Sequence, residues 1–146
     1  MKERRARPVE RELGATPGLV LDAGALQALE HRPIRLLADL QRAHDLGLPI
    51  RIPAGALAQS WRGGPRSASI ARLLKQRCNV LQIDQASAKE IGEFIAHLHL
   101  PEGDEKPDVV DAHVALTTRA TQSLVWTSDP EDIARYGVGA EYIRRI

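Results

Sequence analysis

The sequence predicts an α/β fold, a three-layer α/β/α sandwich on a parallel β-sheet, from three observations. Short apolar runs alternate with longer stretches of helical periodicity along the chain. The first run, Leu19-Val20-Leu21, is apolar at every position and stops at Asp22, the pattern of a buried strand with an acid at its carboxyl end. At 146 residues, 43% hydrophobic and 27% charged, the chain suits one domain with a proper core.

Residues 1–17 carry mixed charges and almost nothing to bury, so they are expected to form a disordered or frayed extension before a domain at 18–146. After Leu19-Val20-Leu21 a helical segment runs through Glu30. Pro33 opens a second helix, in which Leu36, Leu40 and Ala43 form an apolar stripe and Gly47 supplies the stop. Ile50-Arg51-Ile52 is a brief strand, Ala54 to Trp61 a helix, and Arg62-Gly63-Gly64-Pro65-Arg66 a turn or loop. Helix returns from Ser69 to Arg77 with Ile70, Leu73 and Leu74 inward, and Val80-Leu81-Gln82-Ile83 is the third strand. Asp84 reads as a turn or cap residue. Ser87-Ala88-Lys89-Glu90 matches a capping box, opening a helix buried along Ala88, Ile91, Ile95 and Leu98. A polar loop from Pro101 to Pro107 leads to a helix that is apolar on nearly every side from Val109 to Leu116 and is therefore expected to be buried. Ser123 to Trp126 is a fourth strand, a short helix follows Pro130, and Tyr142 to Ile146 makes the last strand.

The net charge of +1 conceals an uneven distribution. No acid lies between Asp45 and Asp84, where Arg51, Arg62, Arg66, Arg72, Lys75 and Arg77 stand, whereas acids gather from Asp22 to Glu30 and from Glu102 to Asp132. Bringing these blocks together would set a basic surface beside an acidic pocket, as an enzyme acting on a polyanion needs. Aromatic residues are only 3%, which argues against base-stacking platforms. One cysteine, Cys78, excludes an internal disulfide and fits a reducing cytoplasm. No apolar run approaches the length of a membrane span.

The chemistry concentrates in acids. Asp108 and Asp111 share a face in the first turn of the apolar helix. On these residues alone the N-cap and N3 pair is favoured over ligation of a cation. Ligands of an open parallel sheet bind beyond the carboxyl ends of its strands. Asp22 and Asp129 both follow strands, and the helix holding Asp108 and Asp111 begins at the same edge. Oxygen donors of this kind suit Mg2+ or Mn2+. Zinc is disfavoured, because His97 and His99 are two residues apart, His113 follows Asp111 by two, and Cys78 is alone. A phosphoacceptor receiver domain also clusters acids at a sheet edge, but no lysine follows a late strand.

Leu21-Asp22-Ala23-Gly24-Ala25-Leu26, Ile52-Pro53-Ala54 through Trp61-Arg62-Gly63, Asp108-Val109-Val110-Asp111-Ala112 and Thr127-Ser128-Asp129-Pro130, in this order, resemble the PIN domain, and more narrowly the VapC-type toxin ribonucleases of bacterial toxin–antitoxin pairs. The resemblance spans nearly all of 18–146 and implies a PIN-like fold and a metal-dependent endoribonuclease. Asp22, Asp111 and Asp129 fall on the metal-binding acids and Asp108 on an additional acid near them. Gln59 stands where many relatives have glutamate, and it carries no charge to act as a base. Glu30 reads as a surface acid. Arg62 and Arg66 are candidates to grip the RNA backbone with their planar forks, or else side chains of a solvated loop, and Thr127 and Ser128 are expected to bond the acids or substrate unless they cap the following helix. His113 is expected to be packed or supporting. The implied cofactor is Mg2+ or Mn2+, and the implied partners are RNA, a cognate antitoxin and a second copy of the chain. The competing expectation, motivated by Gln59, is a module that binds RNA or antitoxin with little or no turnover.

Overall fold

The computed structural model describes residues 16–76, 78–100 and 106–146. Most of the N-terminal extension, Arg77 and the start of the polar loop, Pro101 to Glu105, lie outside the described residues.

Among the described residues five strands form one parallel sheet: β1 (Leu19–Leu21), β2 (Ile50–Pro53), β3 (Asn79–Leu81), β4 (Leu124–Thr127) and β5 (Ile143–Arg145), in the order β3-β2-β1-β4-β5. The helices described between them are α1 (Ala23–Ala28), α2 (Ile34–Leu46), α3 (Ala54–Ser60), α4 (Ala68–Leu74), α5 (Gln85–Ala96), α6 (Val109–Thr121) and α7 (Pro130–Arg135). Side chains alternate across a strand. Leu19 and Leu21, with Ile50, Ile52 and Trp126, accordingly pack under α1 to α4, whereas Val20 and Val125 face α5 to α7. The chain is thus a three-layer α/β/α sandwich.

The stripe Leu36, Leu40 and Ala43 is buried, and α2 ends at Gly47. Helix α6 is buried from Ala112 through Thr118, with Val109 at its start and Arg119 in its last turn exposed. Several boundaries differ from expectation. The segment through Glu30 ends in a 3-10 turn, Leu29–His31, and α4 stops at Leu74. Strand β3 is shifted one residue earlier, leaving Gln82 and Ile83 exposed, and Tyr142 closes a 3-10 turn ahead of β5. The capping box sits a turn earlier than its sequence pattern. Asp84 is the N-cap of α5, its carboxylate accepting from Ser87 N–H at 2.8 Å while the Ser87 hydroxyl accepts from Asp84 N–H at 2.9 Å. Ser87 is therefore the N3 residue, and Ala88 is exposed; Ile91 is buried, with Ile95 and Leu98 half-buried.

Arg51 does not belong to the basic surface. It is fully buried between the sheet and α6, its Nη1 donating to Ser123 Oγ at 3.1 Å, and Ser123 in turn pairs with Thr121 Oγ1 at 2.7 Å.

The strand order has one consequence for function. From β1 the chain winds outward through β2 and β3, then returns to the other side of β1 for β4 and β5. The crevice at the carboxyl ends of β1 and β4 is therefore the topological switch point, where open α/β sheets bind ligands.

Candidate active site

Asp22 lies at that crevice. Its N–H continues the sheet ladder to Trp126 O at 3.3 Å, and its carboxylate caps α1 by accepting from Ala25 N–H at 2.8 Å. Across the crevice Thr127, fully buried at the end of β4, directs its hydroxyl at the Asp22 carboxylate and accepts the Asp129 N–H at 3.0 Å. One hydroxyl thus ties the segments that carry two of the acids. Ser128, offered with Thr127 for acids or substrate, is exposed, and the cap of α7 is Asp129, accepting from Asp132 N–H at 3.3 Å.

The third segment arrives through α6. Asp108 is its N-cap, accepting from Asp111 N–H at 3.0 Å, so the cap and N3 reading is realised. That bond occupies the Asp111 backbone and not its carboxylate, which accepts no hydrogen bond among the described residues. Tyr136, after α7, fixes the helix start by accepting the Asp108 N–H at 2.9 Å.

These carboxylates feel one another. Burial, then the charges of Asp108, Asp132, Asp22 and Asp129, push the Asp111 carboxyl up from 3.8 to about 6. Burial also raises Asp22, with Asp129 adding to it, against the hydrogen bonds from Thr127, Ala25 and Gly24 that favour the ionised form. Asp132 is raised by burial and by sharing a hydrogen bond with Asp129. The donors are all carboxylate oxygens, the hard set that divalent Mg2+ or Mn2+ prefers. As they stand, no three His, Cys, Asp or Glu side chains among the described residues are gathered tightly enough to enclose a metal ion. Charge coupling, which reaches further than ligation, is what unites this group.

Beside the acids opens a cleft of about 450 Å3, bordered by Gly24, Ser128, Ser60, Arg62, Arg66 and Glu30. Gly24 allows α1 to approach the end of β4, since a Cβ there would stand 2.0 Å from Ser128 Oγ and 2.7 Å from its Cβ. Both arginines reach the cleft on the loop after α3. Gly63 and Gly64 take positive φ, 74° and 60°, which suits residues without a Cβ. The buried Ser67 hydroxyl then accepts the N–H of Arg62 at 2.8 Å and of Gly63 at 3.0 Å. Arg62 spends Nη1 on the carbonyls of Trp61 at 2.8 Å and Ala58 at 3.5 Å. Arg66 has no hydrogen bond or ion pair among the described residues.

Gln59 is exposed near the end of α3 and does not line the cleft. His113 is a packed histidine, buried, its Nδ1 without a hydrogen-bond partner among the described residues, and burial lowers its pKa. Cys78 is half-buried, its thiol donating to Leu73 O at 3.5 Å.

Three contributors were missed in the sequence. Asp132 stands three residues after Asp129, the spacing already noted for Asp108 and Asp111. Tyr136 could have been singled out as one of two tyrosines in an aromatic-poor chain. Ser67 carries no local signal. The chain matches no protein-family profile and no curated protein.

Proposed function

We propose that this chain is a metal-dependent endoribonuclease that hydrolyses RNA phosphodiester bonds and acts in the cytoplasm as the toxin of a toxin–antitoxin pair. One observation carries the nuclease reading: carboxylates from three distant segments, Asp22, Asp111 and Asp129, couple electrically at the sheet's switch point. A self-repelling acidic group with an uncommitted Asp111 carboxylate fits a hard divalent cation, and Asp22, Asp111 and Asp129 would hold it. When bound, Mg2+ or Mn2+ supplies positive charge at the scissile phosphate and acidifies water for attack.

The chain's own residues account for the rest. Thr127 orients the Asp22 carboxylate and the start of the Asp129 segment. Asp108, anchored by Tyr136, sets the direction in which Asp111 enters the group and can orient a water. Asp132 adjoins Asp129, and burial and the hydrogen bond shared with Asp129 raise its pKa while Arg135 opposes the rise. Arg62 and Arg66 border the adjoining cleft and place positive charge where an RNA backbone would run. The antitoxin and a second copy of the chain are the protein partners of this reading.

The test is cleavage of structured RNAs in Mg2+ or Mn2+ by the purified protein beside Asp22→Asn. Loss of cleavage in the variant supports the assignment; equal cleavage by both proteins overturns it. A second reading, a module that binds RNA or antitoxin with little turnover, is favoured by one feature: uncharged Gln59 lies exposed and outside the cleft, adding no charge to the acids. RNA binding without cleavage by either protein would select it. A small DNA-binding protein encoded immediately upstream would support the toxin assignment.

A further inference from the structure

We propose that the cleft beside the carboxylates is a single-nucleotide subsite selective for guanosine, with Gln27 and Glu30 reading the base and Arg66 holding the adjoining phosphate. The inference rests on the nuclease reading and adds to it a substrate preference.

The lining comes from two segments of different chemistry. The loop after α3 brings cations, and of its two arginines Arg66 is the uncommitted one, since Arg62 caps carbonyls at the end of its own helix. A planar guanidinium with free N–H groups suits a phosphate. Helix α1 and the 3-10 turn after it bring an amide and a carboxylate, Gln27 and Glu30. A trough meant only for backbone phosphates would gain nothing from a carboxylate, which repels them; Glu30 therefore calls for a ligand with donors.

Nucleobase edges are such ligands, and single-stranded RNA leaves the Watson–Crick edge open. Gln27 and Glu30 are three residues apart and so neighbour each other on this helical segment. Glu30 reaches only the adjacent His31 ring, at 3.3 Å, and the Gln27 amide has no hydrogen bond among the described residues. Together they present an N–H2 donor beside a two-oxygen acceptor. Guanine offers the complement, O6 as acceptor next to the N1–H and N2–H2 donors. Adenine and cytosine each bring one amino donor beside an acceptor that faces the carboxylate unfavourably, and uracil brings a single N–H between two carbonyls. Among the described residues no Phe, Tyr or Trp lines the cleft, so base-tolerant stacking on such rings is not what the lining offers. A volume of about 450 Å3 admits one nucleotide and not a duplex.

The test uses the full chain in EDTA, with fluorescence anisotropy on labelled UUGUU, UUAUU, UUCUU and UUUUU. One bidentate base contact in a half-open cleft should make UUGUU bind about five- to tenfold tighter than the other three. Glu30→Gln should erase that preference, bringing UUGUU to the affinity of the other three, and Arg66→Ala should weaken all four by a common factor, each variant checked for fold by circular dichroism. Equal affinities for the four, no measurable binding of UUGUU, or an undiminished preference in Glu30→Gln overturns the proposal. A Mg2+ arm separates it from the nuclease reading. Cleavage without guanosine preference sinks the subsite alone, and guanosine-selective binding without cleavage sinks the nuclease alone.

Discussion

The phenol of Tyr136 accepts the backbone N–H of Asp108 at 2.9 Å, joining residues 28 apart and fastening the start of one helix to the end of another. Burial raises the Tyr136 pKa, so the hydroxyl stays neutral across the ordinary pH range. Tyr136→Phe removes the acceptor and leaves that N–H to water, because the site is only part-buried. The expected cost is about 0.5–1.5 kcal/mol of stability by urea unfolding. RNA cleavage should fall by more than this stability loss explains, since Asp108 and Asp111 then enter the site less firmly held. Unchanged cleavage would mean that the bond serves folding alone.

Gly24 lies where α1 touches the end of β4. A methyl there would overlap Ser128 Oγ at 2.0 Å and Cβ at 2.7 Å, with the Ser128 backbone N at 3.1 Å. Gly24→Ala should destabilise by about 1–3 kcal/mol through overpacking and displace the segment carrying Asp129. Ser128→Gly deletes both crowded side-chain atoms, so the double variant should recover most of the stability. Additive losses in the double-mutant cycle would contradict this account.

The layered fold and two of the site segments were legible because each announces itself locally. Leu19-Val20-Leu21 stops at an acid, and Asp108 and Asp111 open an apolar helix, so both could be placed on one sheet edge from strand and helix direction alone. Arg51 could not be read this way. Its burial depends on α6 covering the face between Ile50 and Ile52 and on Ser123, 72 residues away. The α5 cap was misread because Ser87 and Glu90 match a box pattern, whereas Asp84, an equally good cap, starts the helix three residues sooner. The cleft was invisible because the loop geometry around Arg62 and Arg66 is set by one buried hydroxyl.

That hydroxyl, Ser67 Oγ, satisfies two backbone N–H groups at the turn carrying the arginines. Ser67→Ala leaves both without an acceptor in a tight, part-buried loop. A loss of about 1–3 kcal/mol is expected in thermal or urea unfolding. RNA affinity should drop with a reduced salt slope, because Arg62 and Arg66 are no longer held toward one ligand. Ser67→Thr, which keeps the acceptor, should preserve more of the affinity, and an equal loss in the two variants would show that volume rather than hydrogen bonding governs the loop.

The raised Asp111 pKa makes stability depend on pH in a definite direction. Folding lifts this carboxyl from 3.8 to about 6, so the native state holds the proton more tightly than the unfolded chain. Its favourable contribution is complete below about pH 4 and is lost as pH rises through about 6. At about 1.36 kcal/mol per pH unit the ionised group would cost at most about 3 kcal/mol, and solvent at this half-buried site screens that to about 1–2. In EDTA, Asp111→Asn should therefore stabilise the protein by about 1–2 kcal/mol at pH 7.5 and change it little at pH 4. Millimolar Mg2+ should raise the melting temperature of the parent at pH 7.5 and raise that of Asp111→Asn much less, because the cation relieves the same repulsion that the amide removes. If the variant is destabilised at pH 7.5, the carboxylate is a structural partner and not the uncommitted ligand that the site requires.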